Sequence, residues 1–262
     1  MNQNGGASMG NVLLFVNENG GVGKSSLIFN TAWEFSKKKK VLVIDLDGQS
    51  GNITRFFGVD KTEDMNTMLE IMEDRVPVED AMVEVKKNLY LVPADSRVVE
   101  LKQSENINQF KEQISDLKKK FDLIYFDVSP DPDFRHFLSM IVCDYLVIVL
   151  EPTAKSLMGV EGIYLSVKEV REYAPDLKFL GLVLNKHNTR RPAKTRDIYA
   201  EMEEIGNAIG AKPFKTIITN YDSYDDAVAR NKGITSTSPL SRPASEINKL
   251  CKEIEARLKK NG

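Results

Sequence analysis

Short apolar runs alternate with longer amphipathic segments along the chain. Residues 12–16, 41–46, 89–92, 123–126, 145–150 and 179–184 are rich in Val, Ile, Leu and Phe and show little polar alternation. Strands covered on both faces have this pattern. Ile217 and Ile218 read as the end of a seventh run. Between the runs lie segments with apolar residues at helical spacing: 25–35, 98–120, 157–173, 195–209 and 244–258. The second of these carries Leu101, Ile107, Phe110, Ile114 and Leu117 on one stripe. Strand and helix alternating over the whole length predict an α/β fold. Its mainly parallel, twisted sheet would have about seven or eight strands, with helices on both faces. No internal repeat or low-complexity linker divides the chain. One domain is expected over 11–262, after a polar, glycine-rich and flexible tail at 1–10.

Composition narrows the class further. A chain of 262 residues suits one large α/β domain and buries a sizeable core without disulfides. Its 42% hydrophobic and 28% charged residues are those of an ordinary soluble globular protein. Cys143 and Cys251 are far apart in apolar surroundings, so they read as buried thiols. They lack the spacing of iron–sulfur ligands. No apolar run approaches the ~20 residues of a membrane span, and nothing resembles a secretory signal. A protein of a reducing cytoplasm is expected. The net charge is −2 but unevenly spread: residues 185–262 hold 15 Lys and Arg against 10 Asp and Glu, which is +5 and leaves −7 for the rest. A basic C-terminal third on an acidic body permits a polyanion-binding face. Solvated helix surfaces give the same pattern.

The first strand and first helix are joined by Asn17, Glu18, Asn19, Gly20, Gly21, Val22, Gly23, Lys24, Ser25 and Ser26. Glycines let a backbone wrap closely around a phosphate and aim N–H groups at it. The helix N-terminus adds its positive dipole end. In such a phosphate loop Lys24 reaches the β- and γ-phosphates, and the Ser25 hydroxyl lies on Mg²⁺. The general pattern opens on a glycine where this chain has Glu18, but strand before, helix after and Gly-Lys-Ser in register fit an ATP site. Asp127 closes an apolar run, where a carboxylate can hold Mg²⁺ through water; a structural cap is the alternative. Asp45 and Asp47 are two residues apart, so they point the same way if the strand persists.

Gly20-Gly21-Val22-Gly23-Lys24-Ser25-Ser26 resembles the deviant Walker A motif of the ParA/MinD superfamily of ATPases. Asp45-Leu46-Asp47-Gly48-Gln49-Ser50-Gly51-Asn52 is similar to the family's first switch. Residues 121–130, through Asp127 to Pro130, resemble its Walker B strand and second switch. Residues 144–152, followed by Ser156, Leu157 and Gly159, resemble the segment after that. Four motifs in order cover most of the chain and point to the ParA side. The resemblance implies that Asp47 orients the attacking water and that Asp45 supports Lys24 or the Mg²⁺ shell. Helix-capping or loop carboxylates are the alternatives for both. The family places base contacts near Asn185, whose amide could read the adenine edge, and Pro152 could flank the base. Loop roles are equally open for these two.

The family's signature lysine, which reaches across a nucleotide-sandwich dimer, is replaced here by Asn19. An amide can donate a hydrogen bond but cannot neutralise charge. Gly48 replaces the usual proline of the first switch. Three readings of Asn19 follow. Another cation does the lysine's work, with Lys155 the candidate; some ParA-like ATPases that position protein cargo such as carboxysomes also lack the signature lysine. Alternatively the chain dimerises on ATP but hydrolyses it very slowly, or Asn19 is an engineered change.

The resemblance further implies an ATP-dependent homodimer whose basic surface binds DNA without sequence preference. Arg230, Arg242, Lys249 and Lys252 are the candidate contacts, and Lys186, Arg190, Arg191, Lys194 and Arg196 form another basic stretch. Hydrolysis would be stimulated by a ParB-like or cargo-adaptor partner, and the protein would be nucleoid-associated. The apolar stripe Ile247, Leu250, Ile254 and Leu258 reads as core packing, so no membrane partner is expected. Two other classes are a nucleotide-locked scaffold and a metabolic P-loop ligase of the same fold, for which no substrate groups stand out.

Overall fold

The computed structural model describes residues 9–48, 53–60, 65–73, 76–100 and 107–261. Most of the N-terminal tail, residues 49–52 of the first-switch segment and Leu101 lie outside them. The strands are β1 (Asn11–Val16), β2 (Val41–Asp45), β3 (Val83–Lys86), β4 (Leu89–Val92), β5 (Leu123–Asp127), β6 (Tyr145–Leu150) and β7 (Lys178–Leu184). The helices are α1 (Lys24–Phe35), α2 (Ile53–Phe56), α3 (Met68–Met72), α4 (Ile107–Leu117), α5 (Phe134–Val142), α6 (Ala154–Val170), α7 (Pro192–Ile209), α8 (Ser223–Ala229), α9 (Ile234–Thr237) and α10 (Arg242–Asn261).

The sheet has the order β3-β4-β2-β5-β1-β6-β7. It is parallel except where β3 meets β4. Successive strand residues face opposite sides. Val12, Leu14, Leu42, Ile124 and Leu146 enter one buried cluster beneath α4, α5 and α6. Leu13, Phe15, Val43, Tyr125 and Val147 enter another beneath α1 and α10. Two-sided burial explains the uninterrupted apolar runs, since each fully buried Leu, Ile or Phe contributes roughly 1.5–3 kcal/mol. Ile247, Leu250, Ile254 and Leu258 are buried in that second cluster, so the α10 stripe packs inward as expected. Both cysteines are buried and unpaired. Among the described residues no helix is long and apolar enough to cross a membrane.

Several elements differ from the sequence expectation. Ile217 and Ile218 form no strand: the chain runs beside β7 through isolated bridges, Leu182 with Pro213 and His187 with Thr219. The additional strand is β3, an antiparallel edge whose Val-Glu-Val-Lys alternation suits its half-exposed position. Of the long helix expected over 98–120, the described residues show a 3-10 turn at Ser96–Glu100 and α4, while residues 101–106 lie outside them. A further helix, α5, lies outside the segments with helical spacing. The Asp133 carboxylate caps it, accepting from the backbone N–H groups of Arg135 and His136.

Candidate nucleotide site

β1 delivers the chain to the glycine loop and α1 carries it away. Gly21 and Gly23 have φ of 76° and 94°, a region costly for residues with a Cβ. At Gly23 a Cβ would also collide with the Asn185 amide. Asn17 holds the loop from beneath: its Nδ2 donates to Val149 O at 2.6 Å, and its Oδ1 accepts from Asn19 N at 2.7 Å. Lys24 Nζ donates to Asn17 O at 3.2 Å. Burial lowers the Lys24 pKa, against the opposing pull of Asp127, Asp47 and Asp131. Gly20, Gly21, Val22, Gly23, Ser25 and Ser26 line a cleft of about 390 Å³, together with Asp47, Phe56, Asn185, Lys186 and residues 218–222. That volume is in the range of small-ligand pockets.

Two carboxylates lie at the floor, on neighbouring strand ends. Asp45 and Asp127 are register partners across β2 and β5, and both are fully buried. Both oxygens of Asp45 are engaged within the protein: Oδ1 accepts from Asp47 N at 2.9 Å, and Oδ2 from Thr54 N at 3.2 Å and Thr54 Oγ1 at 2.5 Å. Burial and the neighbouring Asp127 push the Asp45 pKa well up. Neither oxygen of Asp127 has a hydrogen-bond partner. Burial raises its pKa to about 7, Ser25 and Lys24 pull it down, and Asp47 adds to the rise. A buried carboxylate with open lone pairs beside a serine hydroxyl is a donor set that fits a hard divalent cation such as Mg²⁺. Asp127 and Ser25 are thus the residues fitted to hold it, while Asp45 holds the backbone that presents Asp47.

The two switch-like segments are tied together by a residue that sequence reasoning missed. Arg135, buried in the first turn of α5, donates to Leu46 O at 3.0 Å and to Ser129 Oγ at 3.1 Å, and it pairs with Asp133. A buried arginine between an Asp cap and an apolar helix was the available signal. Gly48 is also accounted for: a Cβ there would press into Asp95 O and Val98.

Asn19 and Lys155 are brought together, but through backbone. Asn19 Nδ2 donates to Lys155 O at 3.1 Å, which lays the amide on the first turn of α6. The Lys155 side chain is exposed there. Asn185 Nδ2 donates to Val22 O at 2.8 Å, so its amide grips the loop from the cleft wall. Pro152 lies outside the cleft lining, in an adjoining depression with Glu151, Thr153 and Lys186. Arg242, Lys249 and Lys252 share a groove with Lys215, whereas Arg230 ends α8 and is not among that groove's residues. Asn17 and Lys186 also belong to the loop's surroundings, where in the sequence Asn17 stands out only as the start of the connecting segment and Lys186 only as part of a basic stretch.

A family model described as an AAA domain matches residues 10–179. The sporulation initiation inhibitor protein Soj of Bacillus subtilis (strain 168) is 26% identical over 256 residues, spanning 95% of this chain and 99% of Soj. Among solved structures, the Cyanothece McdA–ATP complex matches with a TM-score of 0.81 at 21% identity, over 97% of this chain and 98% of that one. The septum site-determining protein MinD of Pyrococcus horikoshii OT3, complexed with Mg-ADP, matches with a TM-score of 0.77 at 21% identity, over 97% and 99%. At these identities the structural likeness speaks for the fold.

Proposed function

The chain belongs to the AAA-domain family, within the ParA/MinD superfamily of P-loop ATPases, and from that membership we propose that it is a ParA-type positioning ATPase. It binds ATP, forms a sandwich homodimer, associates with nonspecific DNA in the cytoplasm, and moves or segregates a cargo. The cargo is a plasmid, a chromosome region or a protein assembly. Hydrolysis stimulated by a ParB-like or cargo-adaptor protein resets the cycle. One observation carries the reading: the glycine loop, Lys24, Ser25 and Asp47 line one cleft, and the unpartnered Asp127 carboxylate lies behind it beside Ser25.

The chemistry follows from these groups. Loop amides and the Lys24 ammonium take up the triphosphate charge. Mg²⁺, held by Ser25 and Asp127, would neutralise charge on the β- and γ-oxygens. Asp47, whose backbone is held by Asp45 and Thr54 and which lines the cleft, would orient a water against the γ-phosphate. Nucleotide complexes of McdA and MinD on the same fold support ATP and Mg²⁺ as the ligands. Asn19 supplies no charge, so the exposed Lys155 beside it is the cation offered to the facing subunit. The groove formed by Lys215, Arg242, Lys249 and Lys252 supports phosphate-backbone contact without base reading.

The test is to measure mass in solution, DNA retention at low salt and phosphate release on one preparation, with ATP and Mg²⁺ and then with ADP. ATP-specific dimers that retain DNA and release phosphate support the proposal. A protein that stays monomeric and leaves DNA unbound with ATP sinks it. Asn19 favours one second reading, a nucleotide-locked scaffold, which the same experiment reveals as dimers without phosphate release.

A further inference from the structure

The end of β7 lies over the glycine loop, and two consecutive residues there donate to two consecutive carbonyls of it. Asn185 Nδ2 donates to Val22 O, and Lys186 Nζ donates to Gly21 O. The same ammonium is 3.0 Å from Glu151 Oε1, just beyond the end of β6. Lys186 has φ of 54°, a left-handed conformation that costs a non-glycine residue roughly 1–2 kcal/mol. Such strain persists where the surroundings fix it. Lys186 also lines the cleft itself.

These two bonds constrain the loop. A phosphate cradle needs its N–H groups turned inward, and glycine peptides flip easily. In a planar trans peptide the carbonyl and the next N–H point in opposite directions. A Gly21 carbonyl held toward the end of β7 therefore turns the Val22 N–H away from that end, and one held at Val22 does the same for the Gly23 N–H. Asn185 secures the second peptide and Lys186 the first. Glu151 steers the ammonium without being part of the cradle.

We infer that Lys186 is a positioning residue for the nucleotide: its bond to Gly21 O locks the Gly21–Val22 peptide with the amide facing the phosphates. This rests on the proposal that the cleft takes ATP. The probe is a ribose-labelled fluorescent ATP with Mg²⁺, measured on wild type, Lys186→Met, Lys186→Gln, Lys186→Arg and Glu151→Gln. Charge-assisted hydrogen bonds of this kind predict a loss of roughly tenfold in affinity for Lys186→Met and Lys186→Gln, seen as faster dissociation. Lys186→Arg restores most of it. The KM for ATP rises in the two neutral variants while kcat at saturating ATP stays within about twofold. Glu151→Gln, which removes the steering charge but leaves the Lys186 bond to Gly21 O, loses less than the neutral Lys186 variants. Melting without nucleotide is unchanged, because the lysine side chain is 41% exposed. Neutral variants that hold the probe as tightly as wild type overturn the inference, as does a Glu151→Gln loss equal to theirs. A wild-type protein that does not bind the probe removes the ATP reading itself.

Discussion

Asp45 and Asp127 are directly opposed across the β2–β5 ladder, both without solvent contact, yet only Asp45 has its oxygens satisfied. The pair divides the work of the site floor. Asp45 is committed to Thr54 and the Asp47 backbone, and Asp127 is left with its valence open toward Ser25.

That asymmetry sets a pH dependence. The Asp127 pKa is raised to about 7, chiefly by burial, against roughly 4 in an unfolded chain. Between those values the folded protein holds a proton that the unfolded chain has released. Stability of the nucleotide-free protein therefore falls as pH rises from about 4 to 7 and then levels off. Asp45, also raised, acts in the same direction. Melting temperatures across that range should decline, and Asp127→Asn should flatten the slope and melt higher than wild type at pH 8. Stabilisation by Mg²⁺ with ATP should grow over the same window, since the metal requires the carboxylate. An unchanged slope in Asp127→Asn would show that Asp127 does not titrate there.

Asp47 lines the cleft, and its own backbone N–H is bound to Asp45 Oδ1. Asp47→Ala removes the carboxylate while leaving that backbone bond in place. Turnover should fall by roughly 10²–10⁴-fold, while ATP affinity stays within a few-fold of wild type. Single-turnover phosphate release beside equilibrium binding separates the two. Equal losses in both would assign Asp47 to binding.

Glu18 occupies space that α6 provides only because Gly162 has no side chain. A Cβ there would overlap the Glu18 carboxylate, and one at Gly159 would press on Asn19 and Asn17. Gly162→Ala gains up to about 1 kcal/mol of helix propensity. The atoms it meets are the far end of the Glu18 side chain, which can swing aside. The substitution should therefore raise the melting temperature and leave ATP affinity near that of wild type. A several-fold loss of affinity that Glu18→Ala restores would show instead that the carboxylate is fixed there.

Lys155 is exposed, and its carbonyl carries Asn19. Lys155→Ala should leave the melting temperature of the monomer nearly unchanged, as surface substitutions shift stability by about 0.5 kcal/mol or less. ATP turnover should drop at least about tenfold, by analogy with cations supplied in trans, together with ATP-dependent dimerisation. If the substitution alters neither, Asn19 has no substitute at this position.

How much of the fold and site is legible in the chain follows from how local each cause is. Leu13 and Leu14 point to opposite cores, so β1 needs apolar residues throughout and is visible as a run. The glycine loop is legible because one stretch, Gly20 to Ser26, carries the glycines, Lys24 and the Ser25 hydroxyl together. β3 escapes notice because an edge strand obeys weaker rules, and α5 because its apolar residues continue into the β6 run after Cys143. Asn185 and Lys186 reach the loop across more than 160 residues of chain, a juxtaposition that no spacing encodes. Asn17 is the same case: its partner Val149 is 132 residues away. Nor does any spacing show that Asp127 is left without a donor while its register partner Asp45 takes two from Thr54.

Nonspecific DNA binding is the prediction that the basic groove carries. Lys215, Lys249, Lys252 and Arg242 border it, but Glu246 and Glu253 are also part of it, and Arg242 is paired with Glu246 at 3.1 Å. Glu246 is further committed to Thr219, and Glu253 to the backbone N–H groups of Lys215 and Thr216. These donors fix both carboxylates without cancelling their charge, and Arg242 is already paired, which leaves the exposed lysines, Lys249 and Lys252 among them, as the charges most available to phosphates. Lys249→Glu with Lys252→Glu should abolish retention of ATP-loaded protein on DNA at low salt without altering ATP binding. Milder Lys→Ala changes should reduce the slope of log affinity against log salt by about 1 for each phosphate no longer neutralised. Arg230, which is not part of the groove, should weaken binding less when changed to Ala. Retention that survives the double reversal would move the DNA face elsewhere, with Arg190, Arg191 and Lys194 the next residues to reverse.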